Sequence, residues 1–323
     1  VPTKYLDQFV QQYGPTQALA LLTSSINSAQ ARAANIPIPY PNFPSQRVAT
    51  VAQALRPFPQ YQNVVTGVQN GDKSGHSSYH AMVLTMDRRY SSGLTLNWNY
   101  TLSKLLTDSD SYFANEGLAM DHYNRRLEKS IGRFDQTHNF KFSTLYELPF
   151  GKGKKWLNDG FLSHVIGGWR ISAIQIYSSG TPIALTRNNS LANQLYNGAN
   201  RPIIDSYDNW RAPLKGDKFD PAVDRFLKPV SEFPTQAAHV FGNSTKYNPK
   251  VRNFWNKDES VSLAKSFHIS EDVRIDLRGE AFNILNRTIF ASGNTNLNSN
   301  VFGIVTSQSN NPRQMQVALK LYW

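Results

Sequence analysis

The last eleven residues, RQMQVALKLYW, constrain this chain more than any other stretch. They alternate strictly. Met315, Val317, Leu319, Leu321 and Trp323 fall on one face, and Gln314, Gln316, Ala318, Lys320 and Tyr322 on the other. A period of two marks a β-strand with one apolar side. The segment also has the length of a tilted strand crossing a bilayer, roughly 9–11 residues. The closing strand of a soluble sandwich would carry the same pattern, so the rest of the chain has to decide.

The pattern recurs. Tyr79–Arg88 puts Met82, Leu84 and Met86 on one face. After Ser91-Ser92-Gly93, the span Gly93–Lys104 puts Leu94, Leu96, Trp98, Tyr100 and Leu102 opposite Thr95, Asn97, Asn99, Thr101 and Ser103. That polar face carries only uncharged hydrogen-bonding groups, which need water or a polar partner. Thr137–Leu148 aligns Phe140, Phe142, Tyr146 and Leu148 and stops at Pro149. Trp169–Ser179 alternates imperfectly, with Trp169 and Ile171 on one face and Ile174 and Ile176 on the other. A bulge near Ala173 would reconcile them. Asp258–Phe267 and Val273–Leu285 follow. In the second, Val273, Ile275, Leu277 and Ala281 share a face opposite a ladder of alternating charge, Arg274, Asp276, Arg278 and Glu280. Charge facing lipid at mid-bilayer costs about 2–4 kcal/mol per basic residue. The ladder therefore belongs on a polar interior or a solvated sheet face.

Between these spans the chain is irregular. Residues 1–77 lack alternation: 5–34 read as helical turns broken at Gly14-Pro15, and Pro37, Pro39, Pro41, Pro44, Pro57 and Pro59 follow. Such proline density excludes a core strand. Residues 105–135, 184–256 and 291–312 read as long loops. If the last strand ends in the periplasm, walking backward puts every one of these long segments outside and the short turns inside, with the longer connection 149–168, also inside, the weakest fit. That is the asymmetry of a transmembrane barrel. The count is seven spans, and bacterial single-chain barrels use even numbers. Residue 1 would also lie outside. The expectation is a portion of a larger barrel whose upstream strands are absent. The start at Val1, with no signal peptide, fits a processed or missing upstream portion.

Composition sets outer limits. The 323 residues include no Cys, so no disulfide or thiolate metal site is possible. No run of 18 or more apolar residues exists, which excludes a transmembrane helix. A mean hydropathy of −0.46 does not exclude a barrel, whose interior and loops are polar. The net charge of +11 raises nucleic-acid binding. The basic residues are scattered, however, and no nucleic-acid-binding signature occurs. Anionic lipid headgroups are the more natural partner.

Several ordered stretches carry a resemblance. They are LRPFPQY (55–61), SSYHAMVLTMDRRYSSGLTLNWNYTLSK (77–104), YELPFGKGKKWL (146–157), GGWRISAIQIYSSGTPI (167–183), RIDLRGEAFNILNRTIF (274–290) and FGIVTSQSNNPRQMQVALKLYW (302–323). Together they resemble the C-terminal part of TonB-dependent outer-membrane receptors, especially the Oar-like subgroup with a carboxypeptidase-regulatory-like domain. The resemblance implies about seven or eight strands of a 22-stranded antiparallel barrel in the bacterial outer membrane. It implies that Met315, Val317, Leu319, Leu321 and Trp323 form the terminal signal read by the barrel-assembly machinery. It also implies ligand uptake powered through TonB. The plug and TonB-binding box of such receptors are not in this sequence, so TonB would engage through a missing N-terminal region.

Other candidate motifs are weak. The His residues show no metal-ligand spacing, and 151–155 (GKGKK) lacks the P-loop spacing and its Ser/Thr. Asp108, Asp110, Glu116 and Asp121 read as a solvated acidic loop. In 184–256, Tyr196, Tyr207, Trp210 and Trp255 would either contact a ligand or pack the loop. No cofactor, metal or catalytic constellation is expected. The reading is therefore a non-enzymatic all-β membrane-barrel portion of an uptake receptor, in two regions. Residues 1–77 form an extracellular segment with short helical turns, and 78–323 carry the strands and the loop 184–256. Outer-membrane lipid, lipopolysaccharide and an unidentified ligand are the expected partners. A surface structural or adhesive protein anchored by the same barrel, and a soluble all-β binding domain, are the competing readings.

Overall fold

A computed structural model describes residues 2–62, 75–109, 120, 125–187, 201–237, 240–270 and 272–323. Its centre is one antiparallel sheet. The strands are β1 (Ser77–Arg89), β2 (Leu94–Thr107), β3 (Ser130–Ile131), β4 (His138–Glu147), β5 (Trp169–Ser178), β6 (Asn256–His268), β7 (Arg274–Phe282) and β8 (Gln314–Tyr322). They pair in the order β1-β2-β4-β5-β6-β7-β8, with the short β3 added to the far end of β2. Every neighbour along that path is the next long strand in sequence, which is an up-and-down meander. β1 and β8 are the two edges and are not paired with each other. The seven spans expected from alternation are all present; β3 had no sequence signal because two residues show no period.

The register makes the two faces continuous. From β1 to β8, one face aligns Met82, Leu84 and Met86 with Leu96, Trp98, Tyr100 and Leu102, and these with Phe140, Phe142 and Tyr146. It continues through Ile171 and Ala173, Val261 and Leu263, Ile275 and Leu277, to Met315, Val317, Leu319 and Leu321. The opposite face carries Thr85, Asn97, Asn99, Thr101, Ser143, Lys141, Ser172, Ser262, Asp276, Glu280, Gln316 and Lys320. The expected bulge near Ala173 is absent. β5 runs in unbroken register with both β4 and β6. Ile174 and Ile176 therefore stand on the polar face, where Ile174 neighbours Ser143 and Ser260.

The connections are unequal at the two ends. One end has a tight β1–β2 turn, in which Tyr90 donates to Leu94 O, and a β6–β7 turn closed by Ile269 donating to Val273 O. Gly93 takes φ 85, a left-handed value costly to a side chain. The β4–β5 connection, at the same end, contains α4 (Phe161–Ile166). The other end carries the long segments. Between β5 and β6 the only regular element among the described residues is a 3-10 turn, Val230–Glu232. The segment is nonetheless packed. Ile183, Leu185, Ile204, Trp210, Phe226, Leu227 and Phe233 form a core with Leu297, Phe302 and Val305 of the β7–β8 connection.

Residues 2–55 are more than a loop with short turns. Helix α1 (Pro2–Thr23) kinks at Gly14, whose φ of 73 and ψ of 163 are non-helical, just before Pro15. Helices α2 (Ala29–Ala33) and α3 (Val51–Ala54) are capped by Ser28 and Thr50. Phe9, Leu21, Leu22, Ile26, Phe43 and Val51 bury one another in a separate apolar cluster. The apolar residues at helical spacing could not be left in water, and they fold back on the proline-rich stretch instead. No helix among the described residues is long and apolar enough to cross a membrane.

The strand β7 ends in a built corner. Asn283 and Asn286 take positive φ, 48 and 49. Asn283 donates to Arg287 O and Asn311 O and accepts from Arg287 N; Asn286 accepts from Arg313 N. Asn tolerates the left-handed region and its amide supplies the missing turn partners. Asn283→Ala should therefore cost about 1–3 kcal/mol through strain and orphaned backbone groups. Hydrogen exchange should show faster opening of 283–313, with β1–β6 unaffected.

Candidate functional site

Three surfaces carry the chemistry. The first is the apolar face. Along β8 it is widely exposed, with Val317 at 79% and Leu319 at 69%. The charged groups on this face sit toward strand ends: Lys104, Lys257 and Glu259 at the long-loop end, Arg88 and Lys265 toward the short-turn end. Between them the face is free of charge. Aromatic rings cluster at the long-loop end. Tyr100 stacks on His138 and hydrogen-bonds its Nδ1 at 2.8 Å, and His138 stacks on Trp255. Glu259 is buried there because Tyr177 donates to it at 3.0 Å and Arg287 Nε at 2.9 Å. Two donors, one cationic, make that burial tolerable.

The second surface is the polar face. The ladder of β7 is drawn into pairs: Arg274 with Asp276 at 3.2 Å, and Arg278 with Glu280 at 3.3 Å. Gln316 of β8 hydrogen-bonds Glu280, and Arg274 lies 4.5 Å from the centre of the Tyr322 ring. All four ladder residues point the same way, as the alternation requires. Toward the long-loop end, Asn99, Thr101, Ser103, Gln136, Asn139 and Lys141 line an open cavity of about 270 Å³ with Tyr79 and Phe134. Asn99 Nδ2 donates to Thr85 Oγ1, and Asn97 to Asp87.

The third surface is the loop cap, held by two ion pairs that sequence reasoning missed. Arg201 grips Glu128 through two nitrogens at 2.8 and 3.0 Å, while donating to Leu127 O and Ser244 O. Both side chains are buried. Burial works to raise the Glu128 carboxyl, but Arg201's hydrogen bonds and charge outweigh it and hold it below its usual value. Arg252 reaches Asp135 at 2.6 Å, and Asp135, fully buried, also accepts from Leu105 N of β2 at 2.5 Å. These pairs join the β2–β4 connection to the β5–β6 connection. Nothing local signals such partners, which lie 73 and 117 residues apart.

The expected loop aromatics divide. Trp210 is 5% exposed and packs on Tyr207 and Phe233, with Nε1 donating to Ser206 O. Tyr207 is half-buried and accepts from Thr245 N. These two pack the cap. Trp255 is 48% exposed and sits at the edge of the apolar face. Tyr196, and Asp110, Glu116 and Asp121 of the acidic loop, lie outside the described residues.

An apolar face without charge across its middle, backed by a polar one, with long connections at one end only, has a counterpart among known proteins. The family model for an outer membrane beta barrel domain matches residues 14–316. The chain belongs to that family. Comparison with curated proteins gives no match, and comparison with solved structures gives none. The protein is therefore an outer-membrane β-barrel protein of a bacterium. The apolar face is its lipid-facing side, and the strands of 9 to 14 residues suffice to span the bilayer. Leu94, Trp98 and Leu102, which a soluble domain would bury in a closed core, are not buried: the first two are half-exposed and Leu102 is exposed.

Two predictions follow from these surfaces. Leu319→Arg should cost about 2–4 kcal/mol in reconstituted protein, whereas Gln316→Arg, beside Glu280, should be nearly neutral. Guanidinium unfolding in vesicles reads the difference. In the cap, Arg201→Met should cost about 3–5 kcal/mol of local stability by leaving Glu128 buried and unpaired. Because the Glu128 carboxyl is depressed in the fold, its contribution is complete above the ordinary Glu value of about 4.3 and is lost as pH falls through the lower folded value. Hydrogen exchange of 201–237 should accelerate over that acid range in the native protein and be pH-insensitive there in Arg201→Met.

Proposed function

We propose that this barrel is the C-terminal portion of a TonB-dependent receptor that takes up a polar ligand, with no enzymatic step of its own. The observation that carries the reading is the polar face. Asn97, Asn99, Thr101 and Ser103 offer amides and hydroxyls along a whole strand, and the paired ladder of β7 and β8 adds balanced charge. Such a wall suits a wet lumen, a plug or a hydrophilic solute. A lumen wide enough for these needs more strands than seven, and the unpaired edges of β1 and β8 are where further strands would attach. The ordered motifs from 55 to 323 support the same family subgroup. In this orientation the cap of 179–255 and 283–313 is extracellular, as is the helical unit of 2–55. Lipopolysaccharide would surround the rim of the cap.

The second reading is a surface anchor, in which the same sheet merely holds a structural or adhesive element. The packed core of the cap favours neither. The upstream reading frame and TonB dependence separate the two. Transport requires an upstream plug with a TonB-binding segment, and in-cell crosslinking from that segment should capture TonB. A full-length protein with no plug and no TonB crosslink would overturn uptake in favour of the anchor.

A further inference from the structure

The connection between β4 and β5 does not behave as a solvated turn. Lys265 belongs to the lipid-facing side of β6, aligned with Trp169 of β5 and Leu277 of β7. An ammonium exposed there would face hydrocarbon. Instead it is 2% exposed. Its Nζ donates to His164 O at 2.7 Å and Val165 O at 2.5 Å, and it lies 4.6 Å from the Phe267 ring centre. Those carbonyls belong to the last turn of α4, so α4 is seated on the lipid-facing side of the sheet rather than beneath it. The two arms of the connection close tightly: a Cβ on Gly167 would come within 2.6 Å of Gly151 Cα.

What α4 shows outward is mostly apolar, with His164 its one exposed polar side chain. Phe161 is 81% exposed, and Leu162, Val165 and Ile166 are exposed with it. Trp156, also exposed, lies under Lys155 at 5.3 Å, and Lys152 is exposed nearby. In water this would be an apolar patch without a partner. Apolar side chains beside an aromatic ring and lysines make the pattern of an element lying in a lipid interface. The patch is also continuous with a surface already assigned to lipid.

We propose that residues 151–167 form a membrane-surface foot. Phe161, Leu162, Val165 and Ile166 enter the headgroup–acyl boundary of a phospholipid leaflet, and Lys152 and Lys155 meet the lipid phosphates. The leaflet is the one at the short-turn end, which is periplasmic in the orientation proposed above. Lys265 is the clamp that holds the foot against the barrel wall, its charge satisfied by helix carbonyls rather than by water.

These 323 residues hold no Cys, so a single introduced cysteine is the only thiol among them. Leu162→Cys, Leu319→Cys and Asp217→Cys, each carrying an environment-sensitive fluorophore, are placed in vesicles of phosphatidylethanolamine and phosphatidylglycerol. The label at 162 should lose fluorescence to lipid brominated near the headgroup and resist aqueous iodide. The label at 319 should respond to lipid brominated deeper, and the label at 217 only to iodide. Iodide quenching at 162 equal to that at 217, with 319 still quenched by lipid, would overturn the foot alone. Failure of lipid quenching at 319 as well would overturn the lipid-facing assignment beneath it. Lys152→Gln with Lys155→Gln should weaken lipid quenching at 162; unchanged quenching would overturn the phosphate contacts.

Discussion

Every backbone N–H and C=O in hydrocarbon must find a partner within the protein, because water is not there to supply one. The rest of the structure depends on this. It dictates long strands in continuous antiparallel register, and it leaves side chains to sort by parity alone. The seven-strand path meets it in its interior, since each inner strand is bonded on both sides. Only the outer rows of β1 and β8 lack partners within the path, and those rows make the sheet a portion rather than a closed wall.

Charge obeys the same constraint with local exceptions. Two charged groups buried on the lipid side have partners in place: Glu259 pairs with Arg287 and accepts from Tyr177, and Lys265 donates to carbonyls of α4. On the polar side the ladder is half-exposed, and its pairs contribute little to stability. Their pairing leaves that strand face without net local charge. In the cap the reverse holds. The Glu128–Arg201 and Asp135–Arg252 pairs are buried and tie the β2–β4 connection to the β5–β6 connection, which have few regular elements among the described residues.

The sheet was legible in the sequence because lipid and water impose opposite demands on alternate residues, and the demand repeats with each crossing. The same signal misled at β5. Ile174 and Ile176 suggested a bulge, but the polar wall simply accepts some apolar side chains, as it does Leu145 beside Ser172. Lys265, inside the span Asp258–Phe267, stood out only once α4 was placed beside it. The ion pairs of the cap left no trace, since their partners meet only through the fold. For the helical unit, the break at Gly14-Pro15 was readable; its packing against Phe43 and Val51 was not.

The strict alternation of β8 also bears on the journey before folding. A segment such as Gln314–Tyr322 interleaves Gln and Lys with Val and Leu. Coiled into a helix, it would scatter its apolar side chains around the axis and present no continuous greasy run. An inner membrane that captures long apolar helices has nothing to hold. The greasiness exists only collectively, once neighbouring strands lie side by side. A polypeptide built this way stays compatible with water while it travels and becomes compatible with lipid by assembling.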